Sequence, residues 1–279
     1  MEVGVPWEIV TPAGTLVFND YGSVFYYRLE VANGMTAAPL RTSQFEIPQE
    51  DGARIGPAYR SALVMSFGGV LKFDTIAQRR LMGDKLAAWL ATLDRADGTL
   101  KWTPSGLGQR QRTVRLFDGP RIDAESETVL KRFAFQLVAG DPLAYSITED
   151  SATGTNFDAT RTNDAAVSND GQSDTWPRIR VNGPFTDLSQ VGDNSNGRFV
   201  RFNTGLSLAA GKYLEIETNP LRRRIVDSDG NLRYAKLIPL TTVWPWAPAA
   251  AAPNFRAIAG SGMTAASTIQ VWWRDAWRS

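Results

Sequence analysis

The stretch Lys131–Ser146, KRFAFQLVAGDPLAYS, constrains the fold most, because it holds a clear strand followed by a clear stop. Phe133, Phe135 and Leu137 recur at every second residue, which is typical of a β-strand with one buried face. Gly140-Asp141-Pro142 comes next, and this combination favours a turn and cannot continue a strand ladder. We therefore predict that this strand is the last one of a first domain.

The residues after this stretch differ in composition. From Ser151 to Thr175 they are mostly Ser, Thr, Asn, Asp and Gly, and strand-like patterning resumes at Trp176. At 279 residues, the chain is also longer than one typical domain of about 150 residues. The sequence therefore predicts a first domain over residues 1–146, a polar linker over 147–175 and a second domain over 176–279.

The composition excludes several classes of protein. The chain has 30 Lys and Arg against 29 Asp and Glu, so no overall charge draws it to nucleic acid or to a membrane surface. It contains no His and no Cys, which removes the commonest general base, the usual zinc ligand, disulfides and the His-dependent hydrolases. The N-terminus does not read as a secretory signal, and no apolar run reaches the ~20 residues of a membrane helix. We expect a protein made and used in soluble form, without cofactor or metal.

Period-two patterns predict that the first domain is mostly β. The predicted strands are Val3–Ile9, Thr15–Phe18, Ser23–Val31, Thr42–Ile47, Ser61–Phe73, Leu100–Trp102, Arg110–Phe117 and Glu127–Val138. A bulge or a tight bend is predicted at Gly68-Gly69, and a turn at Asp118-Gly119-Pro120. A single helix follows Thr75, which fits the capping-box pattern together with Gln78. Apolar residues at helical spacing predict that this helix packs against a sheet; they are Met82, Leu86, Trp89, Leu90 and Leu93.

Short strands at roughly ten-residue spacing predict that the second domain is a β-sandwich or a barrel. These strands are Trp176–Val181, Arg198–Asn203, Tyr213–Thr218, Arg222–Val226, Leu232–Ile238 and Thr268–Trp273. Asn194–Gly197 and Asp229-Gly230 are predicted hairpin turns, and Trp244–Pro253 is a predicted loop.

Two motifs resemble binding sites without carrying their essential residues. Asp227–Asn231 looks like a calcium loop, but its glycine is fourth rather than sixth, so a solvated hairpin turn is favoured. Gly106-Leu107-Gly108 starts a dinucleotide-binding motif, but Gln111 stands where the third glycine belongs. Basic residues form two candidate patches. One consists of Arg110, Arg112, Arg115, Lys131 and Arg132, and the other of Arg222–Arg224. We expect these side chains to be solvated or ion-paired, and the alternative is that they line a subunit interface or a channel wall.

The C-terminal part of the chain is rich in tryptophan. Because neighbouring strand residues face opposite ways, one of Trp272 and Trp273 should point into the core, with the other and Trp277 exposed. Exposed tryptophan serves protein contact or sugar stacking. The candidate interface or glycan-contact residues are Trp273, Trp277, Trp244 and Trp246, with packing in a core or an interface favoured over sugar binding. No catalytic, cofactor-binding or metal-binding residue is predicted.

Several segments together resemble the distal tail proteins of siphophages, the ring components that join a long non-contractile tail tube to its tip. In the first domain the resemblance rests on FNDYGSVFYYRLEVANG, on EDGARIGPAYR before a strand, on the single helix near Ile76–Leu93 and on FAFQLVAGDPLAYS. In the second domain it rests on PRIRVNGPFTDL, GKYLEIETNP, WPWAPAAAAPN and IQVWWRDAW. The resemblance spans nearly the whole chain.

This resemblance implies a mainly β, non-enzymatic virion protein that assembles as a homohexameric ring around a central channel for DNA. It implies a first domain that is a tail-tube-like, ring-forming β-sandwich or split barrel with one packed helix, and a second domain that is a galectin-like β-sandwich. The implied partners are further copies of the chain, the tail tube protein, the tail-tip hub protein and other baseplate proteins, with no sequence-specific nucleic acid and no membrane. The implied location is the virion tail tip, with assembly in the bacterial host cytoplasm.

Two other functions stay open on the sequence alone. The tryptophans of the second domain suit a carbohydrate-binding adhesion module of a phage tail. The carboxylates are plentiful enough for a glycoside hydrolase or lyase, although no pair of them stands out. The richness in tryptophan and the long polar linker are both departures from the distal tail pattern.

Overall fold

The computed structural model describes residues 6–22, 26–35, 38–41, 44–46, 53–55, 59–104, 106–123, 130–155 and 164–278. The chain divides into two compact units, Met1–Tyr145 with Arg278–Ser279, and Ser146–Trp277. The first domain was predicted to end at Ser146, next to this division. The segment 147–175, predicted as a linker, instead belongs to the second unit.

The first unit is a β-barrel with one helix. Its strands are β1 (Trp7–Thr11), β2 (Gly14–Phe18), β3 (Tyr26–Asn33), β4 (Leu40–Arg41), β5 (Gln44–Glu46), β6 (Ala53–Ile55), β7 (Tyr59–Arg60), β8 (Leu63–Lys72), β9 (Gly98–Trp102), β10 (Arg110–Ile122), β11 (Leu130–Ala139) and β12 (Ala144–Ser146). Helix α1 (Ile76–Ala91) is followed by a 3-10 turn at Thr92–Asp94. Seven strands close into a barrel in the order β11, β8, β3, β2, β1, β9 and β10, because β10 also pairs with β11.

These elements confirm a mainly β first unit with a single helix over the described residues. The expected sandwich or split barrel is instead a closed barrel.

The alternation in β11 explains the barrel core. Phe133, Phe135 and Leu137 are buried, and the ring centroids of Phe135 and Phe67 lie 5.1 Å apart in a stacked pair. Burial of each such side chain contributes about 2 kcal/mol by removing apolar surface from water.

Helix α1 begins where the capping box predicts. The Thr75 hydroxyl accepts a hydrogen bond from the backbone N–H of Gln78 at 3.2 Å, and the Gln78 side chain accepts one from the Thr75 N–H at 3.1 Å. The predicted apolar residues are buried in the barrel core or packed against it: Met82, Leu86, Trp89, Leu90 and Leu93. The helix therefore covers the barrel with the face that its sequence spacing indicates.

The bulge predicted at Gly68-Gly69 lies on the neighbouring strand instead. Strand β8 pairs with β11 in regular register, whereas its register against β3 shifts between Leu29 and Val31. A Cβ atom on Gly69 would lie 1.9 Å from the carbonyl oxygen of Arg28, so this glycine allows the two backbones to approach. The shift also removes Val31 from the buried face of Leu29, and Val31 is 43% exposed.

The turn predicted at Asp118-Gly119-Pro120 is wrong. These residues continue β10, and register shifts against β11 on both sides of Asp118 accommodate them. Strand β10 continues to Ile122, which lies opposite Phe133 in the antiparallel pair with β11. Some predicted features lie outside the described residues: Val3, Val5, Phe25 and much of the EDGARIGPAYR segment.

The second unit is a two-sheet β-sandwich. Its strands are β13 (Asp150–Gly154), β14 (Ala165–Ala166), β15 (Arg178–Asn182), β16 (Thr186–Asp193), β17 (Arg198–Arg201), β18 (Tyr213–Glu217), β19 (Arg224–Asp227), β20 (Asn254–Ser261), β21 (Thr268–Trp273) and β22 (Ala276–Trp277). One sheet has the order β13, β21, β15, β18, β19, and the other the order β14, β20, β16, β17. Both sheets contribute fully buried residues to one core, among them Val181 and Ile216 from the first and Val191 and Phe255 from the second.

The polar composition of 147–175 is misleading because three of its polar side chains, those of Asn169, Ser173 and Thr175, are buried in the fold. Strand β13 pairs with β21 along its whole length. The fully buried side-chain amide of Asn169 donates to the carbonyl oxygens of Ser173, Ala247 and Pro248 at 2.8, 3.1 and 3.1 Å. Such bonds offset the cost of burying an amide, so this segment belongs to the sandwich. Its residues 156–163 lie outside the described part of the chain.

Candidate functional site

Trp272 and Trp273 lie on opposite faces of β21, as strand alternation predicts. Trp273 is 7% exposed, and its indole N–H donates to the carbonyl oxygen of Ser168 at 2.6 Å. Trp272 is half-buried on the other face. Trp273 is therefore the member of the pair that points into the core, and it presents little surface to a partner.

The other candidate tryptophans, Trp277, Trp244 and Trp246, are half-buried. The Trp246 ring lies 5.6 Å from the ring of Trp176, and the guanidinium carbon of Arg198 lies 3.2 Å from the Trp246 centroid. The guanidinium of Arg223 lies 5.0 Å from the centroid of Trp244. These rings are held by neighbours, and their role as interface or glycan contacts stays a prediction.

The outer face of the five-stranded sheet carries an ordered set of polar and aromatic side chains, which we call the polar face. One cross-strand row is Ser151, Trp272, Arg178, Glu217 and Arg224, and the next is Thr153, Gln270, Arg180, Glu215 and Val226. The side chains between these rows, such as Ile179 and Val271, point into the core and are fully buried. The polar face is therefore a consequence of strict alternation on paired strands.

Glu215 lies at the centre of the polar face and is surrounded by three arginines. Its carboxylate accepts from Arg180 at 3.0 Å, from Arg224 at 3.2 Å and from Arg178 at 3.5 Å. Burial acts to raise the pKa of Glu215, but the hydrogen bond from Arg180 and the charges of Arg178, Arg180 and Arg224 outweigh it and lower that pKa. Glu215 is therefore a fixed anion that holds the arginines in place.

Aromatic rings flank this charge network. The Arg178 guanidinium lies 4.4 Å from the Trp272 centroid, and that of Arg180 lies 4.2 Å from the Tyr213 centroid. Cation–π contacts of this length orient the guanidinium planes. The polar face thus offers aromatic rings and planar hydrogen-bonding groups side by side. Sequence reasoning did not single out this site, although the alternation in WPRIRV and KYLEIE places Arg178, Arg180 and Glu215 at one-face spacing.

A second surface depends on Asp227, at the end of β19. Its carboxylate accepts from the backbone N–H groups of Asp229 and Asn231 at 3.0 and 2.9 Å, and from the guanidinium of Arg233. Burial acts to raise the pKa of Asp227, but hydrogen bonds from Asn231, Arg233 and Asp229 lower it to about 2. The segment Asp227–Asn231, which resembles a calcium loop, is thus a turn that the carboxylate of Asp227 organises. Lys212 pairs with Asp229 at 2.5 Å.

Residues 228–243, which we call the edge segment, run along one edge strand of each sheet. Beside β19, the N–H of Arg233 donates to Ile225 at 3.0 Å. Beside β17, the N–H of Ile238 donates to Arg201 at 2.9 Å, and the N–H of Val243 donates to Phe199 at 2.9 Å. The predicted strand Leu232–Ile238 is wrong, because this segment leaves one sheet for the other and makes a 3-10 turn at Tyr234–Lys236 on the way.

The edge segment and the preceding loop expose apolar side chains. In the described part of the second unit, all exposed large hydrophobic side chains lie here: Leu221, Leu232, Tyr234, Leu240 and Val243. Leu240 is 98% exposed. We call these five residues, together with Arg222, Arg223 and Lys236, the edge surface.

The predicted basic patch of the first unit is not an open patch. Arg112 is 1% exposed, and its guanidinium donates to the carbonyl oxygens of Pro142 at 3.1 Å, Leu143 at 3.3 Å and Met35 at 3.4 Å. Burial lowers the pKa of Arg112 to about 10, with Asp141 acting in the opposite direction. Arg110 is also buried, and Arg115 forms an ion pair with Asp97 at 2.7 Å. Arg112 therefore connects β10 to the turn that ends β11.

Within the described ranges, no three or more acidic side chains come together as a cluster able to hold a metal ion. Across those same residues, no helix is long and apolar enough to cross a membrane. What the geometry offers is two surfaces suited to contact, one polar and aromatic and one apolar and basic.

The sequence matches no protein-family model and no curated protein. Among solved structures, the chain is similar to the SPP1 Dit protein (gp 19.1), described as a paradigm of the hub adsorption apparatus in phages that infect Gram-positive bacteria. The TM-score is 0.65 at 16% identity, over 97% of this chain and 98% of that one. The chain is also similar to a chain of the phage P2 baseplate in its activated conformation with Ca, with a TM-score of 0.51 at 9% identity, over 97% and 98% of the two chains. The resemblance to distal tail proteins is thus confirmed at the level of fold, and the chain shares over nearly its whole length the fold of a phage Dit protein.

Proposed function

We propose that the chain is a structural subunit of a phage tail tip, the distal tail ring that connects the tail tube to the tail-tip hub. The observation that carries this proposal is the shared fold with the SPP1 Dit hub protein over 97% of the chain. A likeness that includes both units supports a common role better than a likeness of either β unit alone would, because single barrels and sandwiches host many functions.

Further features support the proposal. The neighbours in fold are structural tail proteins, and the chain lacks the His and Cys of most acid–base and nucleophilic sites, so we propose that it is not an enzyme. The first unit forms a homohexameric ring around a channel for DNA, and the second unit is a galectin-like sandwich. The subunit contacts tail tube, hub and other baseplate proteins at the virion tail tip, after assembly in the bacterial host cytoplasm.

Light scattering and negative-stain electron microscopy of the purified chain test this proposal. We expect rings with six times the mass of the 30.6 kDa chain, alone or after mixing with the tail tube protein of the same phage. The mixing step matters because a ring can require a partner to assemble. Monomers at high concentration in both conditions would contradict the ring.

A second candidate function is glycan binding by an adhesion module, and the polar face favours it. Trp272 lies beside Arg178, Arg180 and Gln270 on a sheet face, a combination that can stack on a sugar ring and bind its hydroxyls. The site would then be at Trp272 rather than at the buried Trp273.

Calorimetric titration with host cell-wall polysaccharide tests glycan binding. We expect Trp272→Ala to weaken binding about tenfold, which corresponds to ~1.4 kcal/mol of lost contact. Tyr234→Ala is the control, since that exposed ring lies on the edge surface and not on the polar face. Absence of binding by the unmodified chain, or equal losses in the two variants, would remove this candidate.

A further inference from the structure

The edge surface concentrates exposed apolar groups to an unusual degree. A soluble sandwich commonly exposes single apolar side chains at scattered places, whereas a grouped set marks a contact site. Among the described residues of the second unit, every exposed large hydrophobic side chain lies between Leu221 and Val243. Leu221 and Leu232 are 68% and 65% exposed, and Leu240 is almost completely so.

This exposure is built into the fold. The Asp227 carboxylate fixes the start of the edge segment, and the backbone bonds to Ile225, Arg201 and Phe199 fix its path. At the far end, the N–H groups of Thr241 and Thr242 donate to the carbonyl oxygen of Ile238 at 3.3 and 3.1 Å, which closes a turn around Leu240. The turn holds Leu240 outward, so its side chain does not fold back onto the core.

The charges around these apolar groups are positive. Asp227 is bonded to Arg233, Asp229 is paired with Lys212, and Arg224 is paired with Glu215. Arg222 and Arg223 are exposed, and among the described residues neither they nor Lys236 form an ion pair. Loops 219–224 and 232–236 are connected by the Tyr234 hydroxyl, which donates to the carbonyl oxygen of Arg223 at 2.5 Å. The Arg223 guanidinium also lies 5.0 Å from the ring of Trp244, the residue that follows Val243, so both ends of the edge surface meet at Arg223.

We propose that the edge surface docks a different protein, whose contacting surface is acidic and carries apolar side chains. Charge complementarity selects this partner, because carboxylates opposite Arg222, Arg223 and Lys236 would pair with cations that form no ion pair within the described residues. A two-fold contact centred on this surface would instead place these cations opposite one another. The proposal rests on the proposed function in one respect: it identifies the partner as another protein of the tail tip.

Photo-crosslinking in assembled tails tests this docking site. The chain with Leu240→p-benzoylphenylalanine is supplied to the phage that encodes it, tails are purified and irradiated, and mass spectrometry identifies the crosslinked peptides. We expect a crosslink to a different tail protein, at a segment rich in Asp and Glu. The same substitution at Ala265, an exposed residue of another loop, is the matched control and should give no crosslink to that segment.

The charge requirement is tested in the same tails. Arg222→Glu with Arg223→Glu should lower the crosslink yield about tenfold, because two attractive contacts become repulsive. Both residues are exposed, so the variant is expected to fold, and circular dichroism checks that. A yield that does not change would overturn the role of charge.

The remaining outcomes separate the docking site from the proposed function. A crosslink to a second copy of this chain, or none to any protein, would overturn the docking site while the chain is still present in the tails. Absence of the chain from the tails would overturn the proposed function itself. Binding of the purified chain to vesicles of three parts phosphatidylcholine to one part phosphatidylglycerol, lost in the double arginine variant, would assign the surface to lipid and overturn the protein partner.

Discussion

Arg112→Ala is expected to destabilise the first unit by about 3–5 kcal/mol. The substitution removes the largest fully buried side chain of the chain's described residues and leaves a cavity next to Met65 and Trp102. It also removes a donor from the partly buried carbonyl oxygens of Pro142 and Leu143. An acceptor left without a partner costs about 1–3 kcal/mol when it is buried, and less when it is partly exposed. Unfolding in guanidinium chloride, followed by tryptophan fluorescence, measures the loss in the free energy of unfolding.

Arg115→Ala is the matched control for this prediction. Arg115 lies on the same strand, but its side chain is 55% exposed and pairs with a 51% exposed Asp97. A surface ion pair of this kind contributes about 0–1 kcal/mol. Hydrogen exchange of β8 and β10, compared with that of β15 and β18 in the second unit, would show which unit has loosened. Equal free energies of unfolding for the two variants would mean that Arg112 does not hold the barrel to the turn after β11.

Gly69→Ala is expected to cost about 3 kcal/mol or more, although it adds a single methyl group. The new Cβ atom would lie 1.9 Å from the Arg28 carbonyl oxygen and 2.9 Å from the ring of Phe133. The first of these is backbone, which cannot rotate away, so β3 and β8 would have to separate. Overpacking of a well-packed core typically costs about 1–3 kcal/mol, and a clash with backbone belongs at the upper end.

Gly68→Ala provides a neighbouring control for the same chemical change. Its Cβ atom would meet the Phe133 carbonyl oxygen at 3.7 Å and the Val31 side chain at 3.8 Å, which are ordinary contacts. We expect less than about 1 kcal/mol for this variant. Thermal unfolding of both variants, at the same protein concentration, measures the difference. Similar melting temperatures would show that β3 and β8 are not as close as the register indicates.

Much of the fold could be predicted because local patterns decide it. The alternation of Phe133, Phe135 and Leu137, the Thr75 capping box and the helical spacing from Met82 to Leu90 each act within a few residues, and each is present in the structure. The errors arise where distant residues decide. Asp118-Gly119-Pro120 has the composition of a turn, but pairing with β11 keeps it in a strand.

The candidate sites were harder to predict for the same reason. Asn169 is one of the polar residues that give 147–175 the composition of a linker. Two of the three carbonyl groups that accept from its buried amide, those of Ala247 and Pro248, are far away in sequence. Arg112 looks like a surface cation until its acceptors at Pro142 and Met35 are known. The edge surface could not be predicted, because Leu232 and Leu240 have the apolar character of core residues and nothing local shows that they face outward.

The course of the edge segment has a consequence for the ring of identical copies that is proposed above. An uncovered outer strand presents free N–H and C=O groups, which invite strand addition from a neighbouring molecule. In this chain the bonds from Arg233, Ile238 and Val243 occupy such groups on β19 and β17. Subunits crowded side by side would therefore be protected at these positions from exchanging strands, and would recognise their neighbours through side chains.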